Sequence, residues 1–191
     1  MNQCLSQNDL LLNKLMKFYN KDDNITKMLN IINGESRISL RIVDWFSTNY
    51  AKKNFTVYET KTTQRFKVYE DYKLMLKAYS KKRFDPFCRW DRIKVPYKMN
   101  GNEKYYIETT IGQLNFFYWA LENKIIDYIN DHYEEIENDM NNNNSISKSK
   151  KQKLLSKNQN DGKTRKKREE LSISATKTFK HENVEIVVKF D

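Results

Sequence analysis

The stretch Thr109-Thr-Ile-Gly-Gln-Leu-Asn-Phe-Phe-Tyr-Trp-Ala120 decides the fold, because a strand-like pattern gives way to a helical one inside it. Thr110-Ile-Gly-Gln113 has the form of a capping box, in which the threonine hydroxyl meets the Gln113 backbone N–H and the glutamine side chain reaches back. The helix it opens runs through Leu114, Phe117, Tyr118 and Leu121, and Phe116-Phe-Tyr-Trp119 reads as core. Upstream, Ile93, Val95 and Tyr97 alternate with Lys94 and Lys98, Asn100-Gly101 suits a tight hairpin turn, and Tyr105 and Ile107 begin a return strand. Pro96 places its strand at an edge. Downstream, Glu122-Asn-Lys124 reads as a turn. Ile125, Ile126, Tyr128 and Ile129 then start a second helix that turns acidic through Asp131, Glu134, Glu135, Glu137 and Asp139. The order permits a winged-helix reading, but phosphate would repel so acidic a reading helix. The fold class is α+β.

Further out, the first third is helical. Leu10, Leu11, Leu12, Leu15, Met16, Phe18 and Tyr19 give one broad apolar face, and Ile25, Met28, Leu29, Ile31 and Ile32 a second that stops at Gly34. Ser39 caps a helix with apolar positions Leu40, Val43, Phe46 and Tyr50. Phe55-Thr-Val-Tyr58 and Arg65-Phe-Lys-Val-Tyr69 alternate as an antiparallel pair joined by a loose polar loop, and Tyr72 to Tyr79 return to helical spacing. Residues 1–140 therefore form an α+β globular domain. Residues 141–170 begin with four Asn, alternate Ser with Lys, and read as a disordered basic linker. Residues 171–191 alternate again as a C-terminal β-hairpin, which is marginal alone and is expected to dock on the main domain or a partner.

Composition narrows the function. The 191 residues carry 35 basic and 25 acidic side chains, a formal charge of +10, with 31% charged and 13% aromatic residues. A basic balance points to an acidic partner, nucleic acid first. Four glycines spell neither a dinucleotide fingerprint nor a P-loop, and two cysteines with two histidines are too scattered for a zinc site or a disulfide framework. No cofactor or metal is expected. No apolar run approaches the roughly 18 residues of a membrane span, and the start lacks a secretory pattern, so a soluble intracellular protein with no membrane contact is expected. The charge is uneven: +10 over residues 1–100, −7 over 101–145 and +7 over 146–191.

The densest constellation is Lys81-Lys-Arg-Phe-Asp-Pro-Phe-Cys-Arg-Trp-Asp-Arg92, with Lys94 beyond. Lys81, Lys82, Arg83, Arg89, Arg92 and Lys94 offer cations to phosphates, while Phe87 and Trp90 offer planes to bases. The same residues have a structural reading. Lys81-Lys-Arg83 suits a helix C-terminus, Phe84, Phe87 and Trp90 can anchor a turn set by Asp85-Pro86, and Asp85 and Asp91 can pair Arg83 and Arg92. A second basic feature is an arm: Lys150 and Lys151, then Lys163, Arg165, Lys166, Lys167 and Arg168. It matches a bipartite nuclear signal, an electrostatic arm or a solvated linker. No catalytic relay is evident. The best enzymatic assembly, Asp44 with Glu59 and Lys61, matches the carboxylate and lysine pattern of Mg²⁺-dependent nucleases but puts Asp44 inside a helix.

Ser39-Leu-Arg-Ile-Val-Asp-Trp-Phe46, the Lys81-to-Arg89 segment, Thr109-to-Ala120 and Leu171-Ser-Ile-Ser-Ala-Thr-Lys177 together resemble an uncharacterised protein family of nucleocytoplasmic large DNA viruses, over about residues 36–191. The resemblance carries no catalytic residues. It implies a viral protein acting in the cytoplasm or nucleus of the infected cell, or in the virion. The expected function is a non-catalytic factor that contacts DNA or RNA. The alternative is a protein-interaction or virion component with a viral protein partner, and the metal-dependent nuclease stands third.

Overall fold

The leading N–H groups of a helix have no partner within it, so each helix start needs an acceptor. In the computed structural model, which describes residues 6–21, 23–98 and 104–157, Ser6 supplies one for α1 (Gln7–Tyr19). Its hydroxyl accepts from the Asp9 N–H while the Asp9 carboxylate accepts from the Ser6 N–H. Helix α2 (Asn24–Asn33) ends at Gly34, whose φ of +76° is the left-handed conformation that terminates helices cheaply only with glycine. The Ser39 hydroxyl caps α3 (Leu40–Trp45) by accepting from Ile42 N–H. That helix widens into a π-helical turn at Phe46–Tyr50 and closes as α4 (Ala51–Lys53). The Ser47 and Thr48 hydroxyls donate back to the Val43 and Asp44 carbonyls where the ladder changes register.

Strand β1 (Val57–Tyr58) pairs antiparallel with β2 (Phe66–Lys67), as the alternation predicts. Each strand is only two residues long, because α5 (Val68–Arg83) starts four residues before the expected position and absorbs Tyr69. Helix α5 is itself broken at Ser80, where φ is 59° and ψ 169°. Strands β3 (Arg92–Lys98) and β4 (Lys104–Thr110) form the second antiparallel pair, with Val95 opposite Ile107 and Pro96 opposite Tyr106. With two strands, both are edges, which accommodates Pro96. The Asn100-Gly101 turn lies outside the described residues.

Helix α6 (Ile111–Glu122) is the most deeply buried helix among the described residues. Thr110 accepts from Gln113 N–H as the capping box predicts, but the Gln113 side chain does not reach back. It accepts from the Thr109 hydroxyl and donates to the Pro86 carbonyl at 2.8 Å, converting half a local cap into a tertiary tie. Leu114, Phe116, Phe117, Trp119 and Ala120 are all buried, so the helix is apolar nearly all round, as a central core helix must be. Tyr19 donates to the Leu114 carbonyl from α1, and Trp119 donates its indole N–H to Asp71 of α5 at 2.6 Å. Phe66, Tyr72, Phe84 and Phe116 surround the Trp119 ring.

The predicted acidic helix is two helices, α7 (Ile125–Asp131) and α8 (Tyr133–Lys157), with His132 between them and Lys124 left-handed before them. The linker expected from residue 141 does not start there: 141–157 continue α8. The physical reason is propagation from an anchored base. Trp45 and Lys53 both bond Asp139, Tyr50 bonds Glu135, Arg41 bonds Asn144, and Asn143 bonds the Asp139 carbonyl. Extending a nucleated helix costs little per residue, even through weak formers such as Asn. By its internal contacts the chain divides into Met1–Lys150 and Lys151–Asp191; of the latter, 151–157 are described and helical. The rest of the expected linker and the expected C-terminal hairpin lie outside the described residues.

Candidate nucleic-acid interface

The loop after α5 is organised by one carboxylate. Asp85 is 3% exposed and accepts from Arg89 Nε and Nη2, each at 2.8 Å, from the Phe87 backbone N–H at 3.1 Å and from the Trp90 indole N–H at 3.1 Å. These bonds hold Arg89 firmly protonated, its pKa raised first by Asp85. The loop backbone is tied to the start of α6: Asp85 N–H donates to the Gly112 carbonyl, and Asn115 donates to the Arg83 carbonyl. Gly112 is required here for its lack of a side chain, since a Cβ would stand 2.9 Å from the Lys82 carbonyl oxygen. Phe84 is buried, Phe87 half-buried beneath the Arg89 guanidinium, and Trp90 42% exposed.

The sequence-predicted cations are therefore divided. Lys82 pairs with Asp91 at 2.8 Å, Arg83 bonds Gln7, Arg89 is locked on Asp85, and Arg92 faces Glu108 at 3.7 Å on the outward side of β3 and β4. Lys81 and Lys94 are exposed and have no ion-pair partner among the described residues; Lys94 sits opposite Glu108 in register. Lys82, Arg83 and Trp90 come together around a cleft of about 130 Å³ shared with Asn8, Asp91 and Ile93. The side-chain oxygen of Asn8 is buried there without a hydrogen-bond partner. Phe87, Arg89, Arg92 and Lys94 do not line it. In the basic arm, Lys150 and Lys151 lie within α8, and Lys163, Arg165, Lys166, Lys167 and Arg168 lie outside the described residues.

The nuclease assembly is not brought together. Asp44 points among Asp85, Arg89 and Tyr72, and its pKa is raised to about 6, first by burial and then by the Asp85 charge. Glu59 and Lys61 are exposed in the connection between β1 and β2. Among the described residues, no group of three or more His, Cys, Asp or Glu is placed to hold a metal ion.

Sequence reasoning missed Phe55. It is 86% exposed, with φ at +48°, a conformation costly for a bulky non-glycine residue. The alternation Phe55-Thr-Val-Tyr58 allows either parity, and the structure buries Thr56 and half-buries Tyr58, turning Phe55 and Val57 outward. Tyr106, 64% exposed on β4, is likewise hidden in an apolar pattern.

No helix among the described residues is long and apolar enough to cross a membrane. No solved structure matches the chain. The "Uncharacterized protein L507" of Acanthamoeba polyphaga mimivirus is 48% identical over 136 residues, which cover 68% of this chain and 52% of that protein. The chain thus spans about half the length of the curated relative it matches. This similarity to a large-DNA-virus protein agrees with the resemblance read from the sequence. A family model described as "Family of unknown function (DUF7197)" matches residues 3–191, and the chain belongs to that family.

Proposed function

We propose that the protein is a non-catalytic, nucleic-acid-associated factor of a large DNA virus, using the Asp85-organised loop as a contact surface. The observation that carries this reading is Trp90. Its N–H is satisfied by a buried carboxylate while its ring stays 42% exposed beside Lys82 and Arg83. An aromatic ring held in place among cations loses little freedom on stacking against a base, and the cations supply the salt-dependent attraction to phosphate. Lys81 and Lys94, without an ion-pair partner among the described residues, and the basic arm around Lys163 to Arg168 add to the same field.

The test is a salt-titrated binding assay of the full chain on single- and double-stranded DNA and RNA. Trp90→Ala is expected to weaken single-strand binding about tenfold. Lys81→Ala with Lys94→Ala is expected to lower the salt slope by about 1.4, or 0.7 for each phosphate no longer neutralised. Arg89→Ala is a poor probe, since it leaves the buried Asp85 carboxylate without its cation. Absence of binding to any of these nucleic acids at physiological salt overturns the proposal. A protein-interaction or virion role is favoured instead by the acidic surface of α7 and α8. Asp131, Glu134 and Glu135 are exposed around His132, Glu134 to 87%, and stable co-purification of a basic viral protein would support that role.

A further inference from the structure

The face formed by α4, the β1–β2 pair and α5 combines one exposed aromatic ring, Phe55, with several cations. Val57 pairs with Lys67 across the two strands, so both side chains leave the same side of the sheet, away from the packed Tyr58 and Phe66 rings. Phe55 stands beside them, almost wholly exposed on a left-handed backbone. Lys52, one helical turn before Phe55, places its Nζ 5.6 Å from the centre of the Tyr69 ring, and Lys73 reaches the same ring at 5.7 Å. Lys77 follows Lys73 one turn along α5, with Leu74, 64% exposed, between them. Lys61 and Arg65 are exposed in the adjoining connection. Of the nearby carboxylates, Glu70 is taken up by Lys67 at 3.1 Å, Asp71 accepts from the Trp119 indole, and Glu59 is exposed two residues before Lys61.

The left-handed turn at Phe55 closes α4, with the Thr56 N–H bonding the Ala51 carbonyl at 3.1 Å, and it leaves the ring 86% exposed on this cationic face. We infer that the face is a single-strand nucleic-acid track, in which Phe55 stacks on a base and Lys52, Lys73 and Lys77 contact the phosphates. The inference rests on the nucleic-acid reading above and adds strand preference and path to it. Charge complementarity selects a polyanion, and an exposed aromatic ring selects one whose bases are free to stack, which a duplex does not offer. The part of α5 before its break at Ser80, residues 68–79, spans about 18 Å, or roughly five nucleotides at the rise of a stacked strand.

The experiment titrates the full chain with labelled (dT)4, (dT)12 and a 12-base-pair duplex across a salt series. It compares wild type, Phe55→Gly, Lys73→Ala/Lys77→Ala and Trp90→Ala, with thermal melts confirming that each variant is folded. Glycine suits φ at +48°, so Phe55→Gly removes the ring without loss of stability. The track predicts that (dT)12 binds more tightly than (dT)4 or the duplex. Phe55→Gly should then cost about tenfold on (dT)12, and the double lysine variant should lower the salt slope by about 1.4. If wild type binds but only Trp90→Ala weakens it, the track is overturned and the Trp90 surface stands. If polyglutamate of matched charge competes as well as (dT)12, the face serves an acidic protein and the track is overturned. If wild type binds none of the probes, the nucleic-acid reading itself fails and takes the track with it.

Discussion

The two basic, aromatic regions at either end of α5 use their cations differently. In the loop from Lys81 to Trp90, Lys82 is paired with Asp91, Arg83 bonds Gln7 and Arg89 is held by Asp85. Around Phe55, Lys52 and Lys73 rest on the Tyr69 ring, and Lys77 has no ion-pair partner among the described residues. The loop is the richer in arginine and the more conspicuous in sequence, but two of its four cations, Lys82 and Arg89, are spent on Asp91 and Asp85, while Arg83 meets only the neutral Gln7. An arginine fork matches a carboxylate in two parallel hydrogen bonds, whereas a lysine is a hydrated point charge that stays available. Density of positive charge along a chain therefore does not measure the charge a ligand meets.

Removing the centre of the rigid region should have the largest effect. Asp85→Ala strips the acceptor from Arg89, Trp90 and the Phe87 backbone at once, and urea denaturation should show a loss of about 2–4 kcal/mol. Trp90 fluorescence should shift as its indole loses its anchor. Next, Gly112→Ala drives a methyl group against the Lys82 carbonyl, and a backbone atom yields poorly. The expected loss is about 1–3 kcal/mol, against the small gain that alanine normally brings to a helix; a stabilised variant would show that the loop is looser than its hydrogen bonds imply.

Asp44 sharpens the comparison through pH. Burial and the Asp85 charge raise its pKa from 3.8 to about 6, so the folded protein holds this proton more tightly than the unfolded chain does. The penalty of ionising it is absent below about pH 4, grows as pH rises to about 6 and is complete above that. Asp44→Asn should accordingly stabilise by about 1–2 kcal/mol at pH 8 and be neutral at pH 4, a value set below the full linkage because Asp44 is partly exposed. A pH-independent effect would mean that the carboxyl is not buried beside Asp85. The smallest change belongs to the open region. Phe55→Gly should raise stability by no more than about 1 kcal/mol, visible as an equal or higher Tm, while Phe55→Ala retains the backbone strain.

Much of the fold is legible residue by residue. Ser39 and Thr110 cap the helices they precede, Gly34 ends α2 with positive φ, and Val95 and Ile107 face one another across the β3–β4 hairpin. These are signals within a few positions of one another, where backbone hydrogen bonding and side-chain geometry act directly. Length is harder to read. The β1–β2 strands shrink to two residues and α8 runs through the Asn tract, because helices anchored elsewhere in the molecule override weak local preferences.

The candidate site divides in the same way. Residue types alone mark Lys81 to Lys94 as a place where cations and aromatics meet, but the expected pairing of Asp85 and Asp91 with Arg83 and Arg92 is replaced by Asp85 with Arg89 and Asp91 with Lys82. How the loop is seated is decided by groups far apart in the chain, since Arg83 meets Gln7, its carbonyl meets Asn115, and Pro86 meets Gln113, whereas the ion pairs Arg89–Asp85 and Lys82–Asp91 form within the loop. The outward turn of Phe55 depends on the end of α4, where Thr56 bonds back to Ala51, and on the inward packing of Thr56 and Tyr58, which a two-residue strand cannot specify by itself. Helix starts, turns and the α+β class follow from the sequence, since their interactions are local. The charge and aromatic surface left to a ligand exists only after folding, because ion pairing and burial depend on distances that tertiary structure alone sets.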